Sequence, residues 1–131
     1  MHKLIHGDWQ DHAPTNCDLL LTDPPYGITG FNWDCEIDVK GFMERSLEIT
    51  KGKPVVVFGC QPFTSLVVAA CPKYFRYEII WEKNKATGHL QAKHRPMRAH
   101  ENILVFYKEK VYNPVMSEGK PYSGTARATE A

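Results

Sequence analysis

The sequence predicts an α/β domain: a mostly parallel sheet with helices on both faces and a last strand for which an antiparallel direction is open. Three observations lead there. Strand-like and helix-like segments alternate from Asp18 to Cys71. Val55-Val56-Val57-Phe58 is a continuous, largely β-branched run, the pattern of a strand covered on both faces. Leu19-Leu20-Leu21-Thr22 stops abruptly at Asp23-Pro24-Pro25-Tyr26, and because proline cannot donate to a ladder the strand should end at Thr22 or Asp23. In open α/β sheets ligands bind beyond the carboxyl ends of strands, so this loop is where chemistry is expected.

In chain order, Leu4-Ile5-His6-Gly7-Asp8 reads as a short strand closed by a Gly turn, and the polar stretch Trp9 to Asn16 has room for one helical turn. The strand Asp18–Thr22 follows. Gly27 to Asp34 is a connection in which Gly27 and Gly30 act as hinges; Phe31 and Trp33 either stay exposed or tuck into the core. A helix should start at Asp38 as its cap, present Val39, Phe42, Met43 and Leu47 on one stripe and stop at Gly52. Pro54 opens the strand Val55–Gly59. Pro62 then starts a helix with Phe63, Leu66, Val67, Ala70 and Cys71 on one side, ended by Pro72. Two more strands, Tyr77–Lys83 and Asn102–Lys108, enclose a long irregular segment.

The chain has 131 residues, 43% hydrophobic and 24% charged, which suits one globular domain in residues 1–110 and a linker or disordered tail in residues 111–131. No apolar run approaches the roughly 20 residues of a membrane span, and the amino terminus lacks a signal-peptide core, so a cytoplasmic protein is expected. Four unevenly spaced cysteines without a Cys-x-x-Cys pair indicate neither a zinc site nor a disulfide framework. Net charge is +1 but unevenly spread: residues 1–50 hold three Lys/Arg against nine Asp/Glu, and residues 51–131 hold thirteen against six. No acid lies between Glu82 and Glu101, where Lys83, Lys85, Lys93, Arg95 and Arg98 are joined by three histidines. Such one-signed segments bind anions or remain solvated loops.

Chemically, Asp23 is an acceptor, Pro24 and Pro25 supply carbonyls without N–H groups, and Tyr26 adds a flat face with a polar tip. That set suits an amino group on a planar ring. Asp23-Pro24-Pro25-Tyr26 resembles the catalytic motif of amino-group DNA methyltransferases, in the Asp form of the adenine-N6 enzymes; cytosine-N4 enzymes more often carry Ser first. Arg95-Pro96-Met97-Arg98-Ala99-His100-Glu101, Asn113-Pro114 and Gly119-Lys120-Pro121-Tyr122 resemble further stretches of the same family. The resemblance implies a Rossmann-like sheet, S-adenosylmethionine as cofactor and DNA as partner. It implies that Asp23, Pro24, Pro25 and Tyr26 are catalytic and that Asp8, Asp23 and Pro24 contact the cofactor. Phe31, Trp33, Lys83, Lys85, Lys93, Arg95 and Arg98 would face DNA. Asp8 also has a plainer reading as a helix cap or turn residue.

The glycine-rich turn that such a sheet uses to approach its cofactor is missing, since no Gly-x-Gly occurs in the 131 residues. In the family's permuted order that turn follows the recognition region. The chain is therefore expected to be an incomplete, catalytic part of the fold, with exposed sheet edges and apolar surface, weak cofactor affinity, and either self-association or a second chain carrying the missing half. The rival readings are an inactive DNA-binding or regulatory fragment and a methyltransferase for another amino group, such as cytosine N4.

Overall fold

The computed structural model describes residues 2–29, 31–109 and 112–119. Its elements are α1 (Trp9–His12), β1 (Leu20–Thr22), α2 (Val39–Ile49), β2 (Val55–Gly59), α3 (Phe63–Ala70), β3 (Phe75–Thr87) and β4 (Arg98–Phe106), with a 3₁₀ turn at His89–Gln91. The four strands form one sheet in the order β1-β2-β4-β3. β1 pairs parallel with β2, whereas β4 lies antiparallel between β2 and β3. Three strands thus share a direction and the last opposes them.

Local chemistry sets the boundaries. Asp38 caps α2 by accepting the Gly41 N–H at 3.1 Å. The same helix ends where Gly52, at φ 83°, returns its N–H to the Leu47 carbonyl at 3.0 Å. Two polar residues on its buried side are satisfied within the helix: the Ser46 hydroxyl donates to the Phe42 carbonyl at 2.7 Å and that of Thr50 to the Ser46 carbonyl at 3.1 Å.

The core corrects one expectation. Phe42, Met43 and Leu47 of α2 and Phe63 and Val67 of α3 form a single cluster with Val55, Val57, Leu104 and Phe106. The registers Val55↔Phe106 and Val57↔Leu104 put those four strand residues on one face, so α2 and α3 share that face instead of covering both. The opposite face carries Leu21, Ile79 and Trp81, each about half exposed or more, with Phe58 edge-on to Trp81 at 5.9 Å. Exposed apolar surface on the sheet, as the sequence predicts, lies on this face. Leu66, placed on the apolar stripe of α3 by spacing, is instead exposed.

Two other elements differ. Leu4–Asp8 is not a strand, and Leu4 is fully exposed: two aliphatic residues bury little, and no neighbouring strand offers them a ladder. The segment expected to be irregular from Lys83 to His100 is strand at both ends, because β3 runs on to Thr87 and β4 starts at Arg98; only residues 88–97 between them are irregular, with the turn at His89–Gln91. Of the tail, residues 112–119 contain no helix or strand; residues 111 and 120–131, like Gly30, lie outside the described residues. Among the described residues no helix is long and apolar enough to cross a membrane.

Candidate active site

β1 delivers Asp23 to the sheet's carboxyl end, and the two prolines stiffen the exit. The chain then doubles back so that the Tyr26 hydroxyl donates to the Asp23 carboxylate. The Tyr26 ring stacks on Phe63, the first residue of α3, with centroids 5.2 Å apart and planes at 29°. Burial first, and then the hydrogen bond to Asp23, push the Tyr26 phenol above the ordinary tyrosine range, so it acts as a fixed donor at neutral pH. An ionised carboxylate has about four acceptor positions, so Asp23 keeps others for a ligand N–H.

The loop after Tyr26 folds around a residue that the sequence reading passed over. Asp34 is only 7% exposed, and its carboxylate accepts four consecutive backbone N–H groups. Oδ1 takes those of Tyr26 and Gly27, both at 2.7 Å, and Oδ2 those of Ile28 at 2.9 Å and Thr29 at 2.6 Å. The Thr29 hydroxyl foremost, with these N–H groups, holds the Asp34 carboxyl well below the usual carboxylate range against the opposing effect of burial. The available signal was a run of N–H donors after two prolines, with no strand or helix to receive them.

Two cavities meet at Asp23, Pro24 and Pro25. The larger, about 760 Å³, lies between α1, the proline loop and α2, and combines apolar walls from Trp9, Ile37 and Phe42 with the carboxylates of Asp11 and Asp38. The smaller, about 340 Å³, is lined by Tyr26, Ile28, Thr29, Trp33, Arg98 and Glu101 among others. Asp23 is therefore the acid common to both.

The other sequence candidates separate. Asp8 caps α1, accepting the Gln10 N–H at 2.8 Å, and does not line the larger cavity; Asp11, which the sequence reading missed, does. Phe31 and Trp33 stay exposed and stack on each other at 5.8 Å with planes 9° apart. Lys83 is engaged by Glu101 in an ion pair that is mostly shielded from solvent, which takes its ammonium away from the surface. Lys85, Lys93 and Arg95 are exposed on and near the β3–β4 tip, and half-buried Arg98 reaches the smaller cavity.

No family model and no curated protein matches the sequence. Solved structures do match. The crystal structure of the M1.HpyAVI–SAM complex has a TM-score of 0.57 at 18% identity, covering 86% of this chain and 56% of that one. The crystal structure of M1.HpyAVI has a TM-score of 0.58 at 19% identity, covering 86% and 57%. This chain thus spans a little over half the length of those it matches. At such identity the likeness is one of fold: the open, mixed four-stranded α/β sheet described above is similar to the sheet of these two structures.

Proposed function

We propose that this chain carries the catalytic half of a DNA adenine-N6 methyltransferase that uses S-adenosylmethionine. The observation that supports it most is the position of Asp23, at the end of β1 on the wall shared by two cavities. The donor set of the larger cavity suits the cofactor: aromatic and aliphatic surface for a purine, and carboxylates for hydroxyl, amino and sulfonium groups. Asp23, Pro24 and Asp11 would hold it, Asp8 acting by fixing α1. When bound, S-adenosylmethionine supplies an electrophilic methyl group.

The acceptor amine needs help because its lone pair is delocalised into the purine ring. Asp23 and the Pro24 carbonyl accept its N–H hydrogen bonds, which favours a pyramidal nitrogen with its lone pair directed at the methyl donor. The base must leave the duplex to reach them, and the smaller cavity, walled by Tyr26 and Trp33, receives it. Lys85, Lys93, Arg95 and Arg98 contact phosphates. A cytoplasmic setting and a second chain or further segment completing the cofactor site belong to the same reading.

Nucleoside mass spectrometry of DNA from a methylation-free host expressing the chain together with the segment or second chain that completes the cofactor site tests the proposal. N6-methyladenine is expected; N4-methylcytosine would move the reading to the other base, and no modified base would favour the binding-fragment reading. The DNA contacts carry their own prediction. Lys93→Ala combined with Arg95→Ala should flatten the log–log salt dependence of duplex binding by about 0.9 for each lost phosphate contact. Lys83→Ala should leave that slope unchanged, since Glu101 already holds its charge.

A further inference from the structure

We propose that Asp34 is the positioning residue of this site: its carboxylate clasps the two ends of the Tyr26–Asp34 loop and so fixes how Tyr26, and through it Asp23, faces the smaller cavity. The functional weight of that role rests on the reading of Asp23 given above; the clasp itself does not.

Both Asp34 oxygens are saturated by main-chain donors, two each, from four residues in succession. Gly27, at φ 66°, takes the left-handed conformation that lets consecutive N–H groups converge on one anion. A Cβ there would also meet the Glu36 Cγ at 3.1 Å. Tyr26 is consequently held at three points: its N–H on Asp34, its ring on Phe63 and its hydroxyl on Asp23. The clasp joins two walls of one cavity, because Tyr26, Ile28 and Thr29 line it from one end of the loop and Trp33 from the other. A carboxylate is required by count. Asparagine offers one oxygen and turns an NH₂ toward the remaining two donors, leaving them without an acceptor.

The test uses the 131-residue chain and needs no activity, so a failed methyl-transfer reading would appear in the nucleoside analysis and not here. Amide exchange and the titration of the Tyr26 ¹³Cζ resonance are compared in wild type, Asp34→Asn and Asp34→Ala. The titratable groups facing the Tyr26 hydroxyl are Asp23, Glu101 and Cys60. All four amides of residues 26–29 in Asp34→Ala, and at least the two that face the NH₂ in Asp34→Asn, should exchange at least about tenfold faster, the size of losing one hydrogen bond to a charged group, while those of β2 and β4 are unchanged. The Tyr26 phenol should fall back toward about 10, the ordinary tyrosine value. Unchanged protection at residues 26–29 would overturn the clasp. An unmoved Tyr26 titration in the folded variants would overturn the positioning role. Should both Asp34 variants fail to fold, the wild-type chain decides: strong protection of the amides of Tyr26, Gly27, Ile28 and Thr29, which pair with no strand or helix, supports the clasp, and exchange at the free-chain rate contradicts it.

Discussion

Asp23→Ala should reduce methyl transfer by at least about a hundredfold, the scale of removing one preorganised hydrogen-bonding group from a reacting centre, while the fold survives nearly unchanged. The asymmetry follows from where the residue sits. Asp23 is exposed beyond the end of β1, outside the apolar cluster, and its side-chain hydrogen bond is the one it receives from Tyr26. Little packing is lost with it, whereas the acceptor amine loses the group that orients its lone pair. Turnover is to be measured with saturating cofactor in the assembly that carries the activity, beside a denaturation curve of the variant. Near-normal turnover in Asp23→Ala would refute the catalytic assignment.

Tyr26→Ala should be damaging twice over. It removes the ring that stacks on Phe63 at the edge of the core, and the aromatic wall of the smaller cavity, where base–aromatic stacking is worth on the order of 1–3 kcal/mol. Tyr26→Phe separates ring from hydroxyl. From sequence alone, phenylalanine would be expected to serve nearly as well, since stacking needs only a ring face. The structure gives the hydroxyl a task, because it donates to Asp23, and a hydrogen bond to a charged group is worth about 1.5–3 kcal/mol. The expected order in kcat/KM is therefore wild type, then Phe, then Ala, with about a tenfold loss at each step. Urea midpoints should fall for Ala and hardly move for Phe. A Phe variant as active as wild type would show the hydroxyl to be idle.

Where local chemistry decided the structure, the sequence was readable. Asp38 and Gly52 bound α2, Pro54 and the valines make β2, and the prolines after Thr22 stop β1, because each acts through its nearest neighbours. What depended on distant partners was not. Leu4 and Ile5 looked like a strand, yet a strand exists only with a ladder beside it. The same absence of long-range information hid that α2 and α3 share a face, since each stripe is equally apolar whichever face it covers. The basic stretch reads as one loop because Lys and Asn are poor strand formers, but pairing of Trp81 with Glu101 and Glu82 with His100 carries β3 and β4 into both ends of it. At the site, the Asp23 motif was evident and Asp34 was not. The N–H donors left unpaired after the prolines signal that an acceptor is needed but not which residue supplies it; only the folded loop brings four N–H groups to Asp34.

In the proposed function a cofactor and an acceptor meet at Asp23 from two sides, and this chain supplies only part of the cofactor's walls. Titration of the isotope-labelled chain with S-adenosylmethionine, followed by backbone NMR, tests this most directly. The larger cavity is lined by Trp9, Thr22, Asp23 and Gly41 among others, and it opens to solvent without a glycine-rich turn in these 131 residues. The polar contacts that remain should be weak. The account predicts shifts at those four residues, little change in β3 or at the β3–β4 tip, and an affinity weaker than about 100 μM, or about −5.5 kcal/mol. Shifts confined elsewhere, or none at millimolar S-adenosylmethionine, would contradict the placement of the cofactor, and low-micromolar binding would contradict the incomplete site.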